Sequence, residues 1–206
     1  GRTRDLGHVL QPGSGPGEQI GRRHLVRLVA TLQGVEVPNS LISRGVQLTL
    51  NRRRNEESGE LLPLVLHWAV PLTGQKRRGE FWFFLPTQET ATTKGIMNAP
   101  WDLNNERTRL LDNSYNSFLN DQFGELILRT VPFIIAENPD DVGVYLDYFP
   151  GRGYEDAAIY AARSLGESVR KAAAKYKSLL DLDGRLQRPE TLKRPPENIS
   201  SELLKE

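Results

Sequence analysis

The 206-residue chain has no cysteine and a single methionine. Without cysteine there are no disulfides, no thiolate catalysis and no cysteine-ligated metal centre, and a reducing, cytoplasmic setting is expected. Histidine is scarce too. His8, His24 and His67 stand far apart with no ligand-like spacing, so no metal site is expected. No apolar run approaches the ~20 residues that a bilayer span needs. The opening "GRTRDLGHVL" lacks the apolar centre of a signal peptide, and no membrane partner is expected. Neither sign of charge dominates: 27 Lys+Arg face 26 Asp+Glu, a net charge of +1. Global electrostatics therefore give no reason to expect nucleic acid as a partner. The chain begins with Gly1 rather than Met and reads as a piece of a longer protein.

What is present suits an ordinary folded domain. Hydrophobic residues make up 38%, enough for one core in a chain that buries roughly 70% of its unfolded surface. "QPGSGPGEQIG" (11–21) reads as a linker. It has the glycines of a phosphate loop but no Gly-Lys-Ser/Thr ending, and Pro16 removes an N–H donor. "RRHLVRLVATLQ" (22–33) places Leu25, Leu28, Val29 and Leu32 at helical spacing, although a strand-like run fits as well. "GVQLTLNRRR" alternates Val46, Leu48 and Leu50 with polar residues, a half-buried strand. "LLPLVLHWAVPL" (61–72) reads as a more buried strand, "TGQKRRG" as a hairpin loop, and "EFWFFLPT" (80–87) as a third strand.

Then comes "GIMNAPWDLNNERTRLL" (95–111), a loop rich in Asn and Arg, and after it a long helical pattern. Leu111, Tyr115, Phe118, Gln122, Leu126 and Thr130 lie near one helical face, with Leu119, Phe123, Ile127, Val131 and Ile134 beside it. Asp112–Asn113 interrupts the start and Pro132 bends the end. "AENPDDVGVYLDYFPGRG" breaks the helix, as a short strand or as a loop whose aromatics cover the core. A second helix follows, with Ala158, Ala161, Ala162, Leu165, Val169, Ala172, Tyr176 and Leu179 in a narrow stripe suited to close packing. The tail from Arg185 onward is polar and contains prolines.

Arg107 is the residue of most interest in the loop. Its permanently charged fork of donors suits bidentate contact with phosphate oxygens. Standing between a loop and a helix start, it projects away from its own core. On sequence physics alone a plainer reading competes: Glu106 and Arg107 are first-turn residues on a solvated face. Other clusters have plain readings as well. Asp140–Asp141, Asp147 and Glu155–Asp156 fit turn and helix-start positions better than paired catalytic carboxylates. Arg52–Arg54 and Lys76–Arg78 form basic turns, a weak basis for nucleic-acid contact because Glu56, Glu57 and Glu60 dilute the first. Trp68, Phe81, Trp82 and Phe83 sit on apolar strands and read as core rather than as a base-stacking platform.

The order of elements adds a resemblance. "HWAVPL", "GEFWFFLPT", "TTKGIMNAPWDLNNERTRLL" and "NSFLNDQFGELI" resemble the segment that follows the nucleotide domain in sacsin-like and NO VEIN-type GHKL ATPases. These are related to the ninety-kilodalton heat-shock chaperone, whose middle domain carries a Leu-Asn-x-x-Arg loop. The resemblance spans Ile42 to Glu137. It implies an α+β fold, an antiparallel or mixed sheet with long helices packed on one face, of the ribosomal-S5-like transducer type. It implies that Arg107 reaches the terminal phosphate of ATP and is the catalytic residue. Asn104 shapes the loop, and Arg109 is the alternative phosphate contact; Thr92, Thr93 and Asn98 support the loop. The implied cofactors are ATP and Mg, held by a neighbouring ATP-binding domain. The implied partners are that domain and a client protein or a homodimer partner. The family's Asp-x-Gly-x-Gly motif and Gly-rich lid are missing here, so ATP binding and hydrolysis by this chain alone are not expected. The expected organisation is a linker and short helix (1–40), a sheet-plus-helix transducer-like domain (41–150), a packing helix (151–185) and a polar tail (186–206). The rival reading is a non-catalytic protein-interaction module, or a weak nucleic-acid-binding domain acting through its basic turns.

Overall fold

A computed structural model describes residues 28–35, 37–41, 64–70, 78–138, 145–146, 148–149 and 159–192. Strand β1 spans Leu28–Val35, β2 Leu64–Val70, β3 Gly79–Phe83, β4 Leu85–Ala91 and β5 Ile96–Asn98. They form one sheet in the order β1-β2-β5-β3-β4. Only the β3–β5 pair is parallel, so the sheet is mixed. Helix α1 spans Ser114–Glu137 and α2 Tyr160–Lys175. The two pack on each other, α1 also against β1 and β2, and α2 against β4. The α+β class expected from the sequence is the class observed.

Period-two alternation explains β2. Leu64, Leu66, Trp68 and Val70 are buried, while Val65, His67 and Ala69 are half-buried on the other face. The inward set meets the buried stripe of α1, in which Leu119, Phe123, Ile127, Val131 and Ile134 recur at helical spacing. Trp101 completes this core from the loop: it stacks on Phe123 at 5.3 Å and meets Phe81 edge-on at 5.4 Å. The break after α1 supplies Tyr145 and Tyr148, both buried. They behave as the aromatics of a covering loop.

Several expectations change. The helical spacing of 22–33 misleads: residues 28–35 form β1, because pairing with β2 decides the conformation of so short an apolar run. The run 80–87 is two strands, not one. The chain reverses at Phe84, whose φ is 60°, and Phe83 pairs with Leu85. The connection from β2 to β3 is no hairpin, since β5 lies between them. Gly95 makes that insertion possible. Its φ is +100°, and a Cβ there would lie 2.5 Å from the Trp68 indole nitrogen and 2.8 Å from the Ala69 carbonyl. Helix α1 starts three residues beyond Leu111, capped by Asn113, whose side chain accepts from the Asn116 N–H. The helix runs through Pro132 to Glu137. Leu179–Leu180 (β6) pairs with Leu186–Gln187 (β7), so the start of the expected tail is structured. The proposed boundaries at 40 and 150 do not divide the packing: Ala30 and Leu32 share one core with Phe123 and Leu165. The strand expected at 45–54, the basic turns at 52–54 and 76–77, and the carboxylates at 140–141, 147 and 155–156 lie outside the described residues.

The two helices meet along a polar seam. The Ser117 and Tyr160 hydroxyls are 2.7 Å apart, Asn120 Nδ2 donates to Ser164 Oγ (3.0 Å), and Ser168 Oγ donates to Asp121 Oδ1 (2.6 Å). Gly124 permits the close approach, because a Cβ there would come within 2.6 Å of the Ser168 carbonyl oxygen.

Candidate functional site

Arg107 is not on a helix. It sits at the tip of a small hairpin whose stem is Leu103 bridged to Leu110. The turn closes where Arg107 N–H donates to the Asn104 carbonyl (2.9 Å) and Asn104 N–H to the Arg109 carbonyl (2.9 Å). A tight hairpin of this kind ends in a left-handed residue, for which glycine is the usual choice. Here Arg107 takes that place, with φ 58°. A non-glycine residue in this region costs about 1–2 kcal/mol.

Asn104 holds the turn with its side chain. Its Oδ1 accepts from Thr108 N–H (2.8 Å) and Arg109 N–H (3.1 Å), and its Nδ2 donates to Thr108 Oγ1 (3.1 Å). A short amide that bonds its own backbone is what such turns select. The stem is secured from below. Asn116, in the first turn of α1 and 0% exposed, accepts from Asp102 N–H (2.9 Å) and donates to the carbonyls of Asp102 (2.7 Å) and Leu111 (2.8 Å). Asn113 Nδ2 donates to Asp102 Oδ2 at 2.8 Å, and Tyr115 Oη donates to the Pro100 carbonyl at 2.9 Å. On its outer side the loop extends the sheet, since Gln88 N–H on β4 donates to the Thr108 carbonyl (2.9 Å).

Arg107 and Arg109 are both exposed, as are Asn105 and Glu106. Among the described residues, neither arginine forms an ion pair. Glu89 lies beneath the loop on β4 and is only 7% exposed. Its carboxyl accepts from Leu110 N–H, and its Oε2 has no partner among the described residues. Burial pushes its pKa above the usual carboxylate value, while the Leu110 N–H and the nearby Arg109 charge pull the other way.

The loop thus brings together Asn104, Arg107 and Arg109, all named from the sequence. The supporting roles expected of three others are not seen. Asn98 Oδ1 accepts from Phe84 N–H (3.1 Å), so it serves the β3–β4 reversal rather than the loop. The Thr92 and Thr93 hydroxyls have no partner among the described residues. Sequence reasoning missed Asp102, Asn113, Asn116 and Glu89. The spacing Asn113-x-x-Asn116 at a helix start carried a capping signal, but nothing local marked Glu89.

The loop has the form of a projection and not of a pocket. A hollow of about 70 Å³, lined by Val65, His67, Phe84, Asn98, Ala99 and Pro100, is far below the roughly 300–1,000 Å³ of small-molecule sites. Among the described residues, no group of three or more His, Asp or Glu could hold a metal ion. None of their helices is long and apolar enough to cross a membrane. No family model matches the chain, nor does any curated protein or solved structure.

Proposed function

We propose that this chain is a transducer-type module that offers Arg107 to the terminal phosphate of ATP held by a neighbouring domain, and passes closure on that nucleotide to its own helices. The observation that carries this reading is the strained tip. A cation occupies the one turn position where glycine would relieve the backbone. Selection for stability alone does not put arginine there, whereas a need for its guanidinium does. Asn104 keeps the tip in shape without burying the charge.

The exposed loop suits a phosphate that arrives from outside. The Arg107 fork can donate two parallel hydrogen bonds to phosphate oxygens. Were ATP and Mg held next door, Arg107 would supply a guanidinium to the charge of the phosphoryl-transfer transition state, a recurrent source of rate in such reactions. The relay uses contacts already described. Asp102 at the stem is bonded to Asn113, the cap of α1, and to Asn116 within it, and Tyr160 of α2 donates to the Asn113 carbonyl at 3.1 Å. A push on the tip therefore has a hydrogen-bonded route to both helices.

The test is Arg107→Ala in the full-length protein that joins this chain to its nucleotide domain. We expect hydrolysis to fall at least tenfold, below the ~10³–10⁵ contributed by arginine fingers elsewhere, while nucleotide affinity stays within about threefold, since binding belongs to the other domain. Equal losses of binding and turnover, or undiminished turnover, end the reading.

A second reading, a protein-contact module, draws on one observation. Phe84 and Leu85 at the β3–β4 reversal are each 74% exposed, and Phe84 also has a left-handed backbone. Under that reading, Phe84→Ser with Leu85→Ser would lower association with a client or a second copy and leave hydrolysis unchanged.

A further inference from the structure

Among the described residues, two that are not glycine have a left-handed backbone: Arg107, at the tip of its loop, and Phe84, at the β3–β4 reversal. For a bulky side chain that conformation is an outlier. The reversal is held in it, because Phe84 N–H donates to Asn98 Oδ1 at 3.1 Å and the Phe83 and Phe84 rings meet edge-on at 5.1 Å. Phe84 and its neighbour Leu85 therefore stand out on a fixed tip, each 74% exposed. Beside this knob lies a hole. The hollow of about 70 Å³ has Phe84 as one wall and Val65, His67, Asn98, Ala99 and Pro100 as the others. It is too small for a nucleotide or cofactor and of the order of the space one aliphatic side chain fills. Strand addition is closed to this stretch of β4. Pro86 offers no N–H, and the Gln88 N–H is already bonded to the Thr108 carbonyl. A contact made here is made by side chains.

We propose that this tip is a self-docking surface: in a two-fold pair of chains, Leu85 of each copy enters the hollow of the other, against that copy's Phe84. A closed two-fold contact requires one surface to supply both halves of the fit, and a knob next to a hole of matching size does so. The tip and the walls of the hollow hold no Asp, Glu, Lys or Arg. Two copies therefore bring no like charges together, as in the charge-poor centre of homodimer interfaces. The knob is also preorganised. Asn98 fixes the reversal before contact, so little conformational freedom is lost on pairing. The pairing rests on the contact surface of the second reading above, and not on a phosphate at Arg107.

The test is sedimentation equilibrium of the 206-residue chain at rising concentration. The mass climbs from 23.2 kDa toward twice that value. Leu85→Ser removes the knob at an exposed position, so the fold is retained. It weakens pairing about tenfold or more, because both copies lose a buried leucine. Ala99→Met plugs the hole from within and has the same effect; a thermal melt checks that it folds, and Val65→Met at a half-buried wall position replaces it if it does not. Mixing the knob variant with the hole variant is the decisive arm. Neither pairs with itself, but a mixed pair keeps one intact contact, so the mixture associates more tightly than either variant alone. Self-docking is overturned if the wild-type chain stays at 23.2 kDa up to about 0.5 mM, if Leu85→Ser leaves pairing unchanged, or if the mixture gains nothing. A monomer whose binding to a client still falls with Phe84→Ser and Leu85→Ser would keep the contact surface and overturn only the self-docking. The Arg107 reading is tested separately, in the turnover of the Arg107→Ala full-length protein.

Discussion

Replacing Asn116 by alanine probes whether the site is built from below. The Asn116 side chain makes three hydrogen bonds to the loop stem from a position with no solvent exposure. One acceptor survives the loss: the Asp102 carbonyl still receives Leu111 N–H at 3.0 Å. Two groups lose their partner, the Asp102 N–H and the Leu111 carbonyl. A buried polar group left unsatisfied costs about 1–3 kcal/mol. The Leu111 carbonyl is close enough to the surface for water to replace the amide, so the sum should fall toward the lower half of the range. We expect Asn116→Ala to lower stability by about 2–4 kcal/mol, or roughly 4–16 °C in Tm for a chain of this size. Chemical denaturation with unchanged m-value is the assay, since an altered m-value would signal a different denatured or native state. A loss below about 0.5 kcal/mol, the size of an ordinary surface change, would refute the reasoning. The loop would then stand without Asn116, and its link to α1 would be incidental.

Two further predictions concern the strain and the carboxyl. Arg107→Gly should raise stability by about 0.5 kcal/mol, because relief of the left-handed backbone outweighs the added freedom of the unfolded chain; a loss of 1 kcal/mol in urea unfolding would show that the arginine packs rather than projects. Glu89 has a folded-state pKa above its unfolded value of about 4.5 because of burial. The folded protein therefore holds the proton more tightly, and the contribution of Glu89 is fully present below the unfolded pKa and lost as pH rises through the folded one. Glu89→Gln keeps the acceptor for Leu110 and removes the charge, so wild type should lose ground to this variant as pH rises from about 4.5 through the folded-state pKa. A stability difference that is flat or grows in favour of wild type would contradict the burial argument.

Local pattern determined a good deal of this protein. The apolar run 61–72 marked a buried strand, and the helical spacing of apolar residues after Leu111 marked a long helix with a face in a core. The sequence also singled out Arg107 and Asn104, because a charged fork and a turn-forming amide have their own chemistry wherever they stand. Tertiary structure decided the rest. Nothing in "EFWFFLPT" signals a reversal, since the run has no glycine or asparagine at its bend; the Asn98 side chain, met across the sheet, holds Phe84 there. Strand β5 has only three residues and no periodicity of its own. It exists because β2 and β3 each offer it an edge, and because Gly95 lets it pass over Trp68. Nothing local marks Glu89, whose role arises from Leu110, 21 positions away, and the helix-start spacing of Asn116 gives no hint of its bonds to Asp102, 14 positions back. Periodicity reports which face of an element is apolar. Which polar atom ends beneath which loop depends on the path of the whole chain, and only the folded arrangement fixes that.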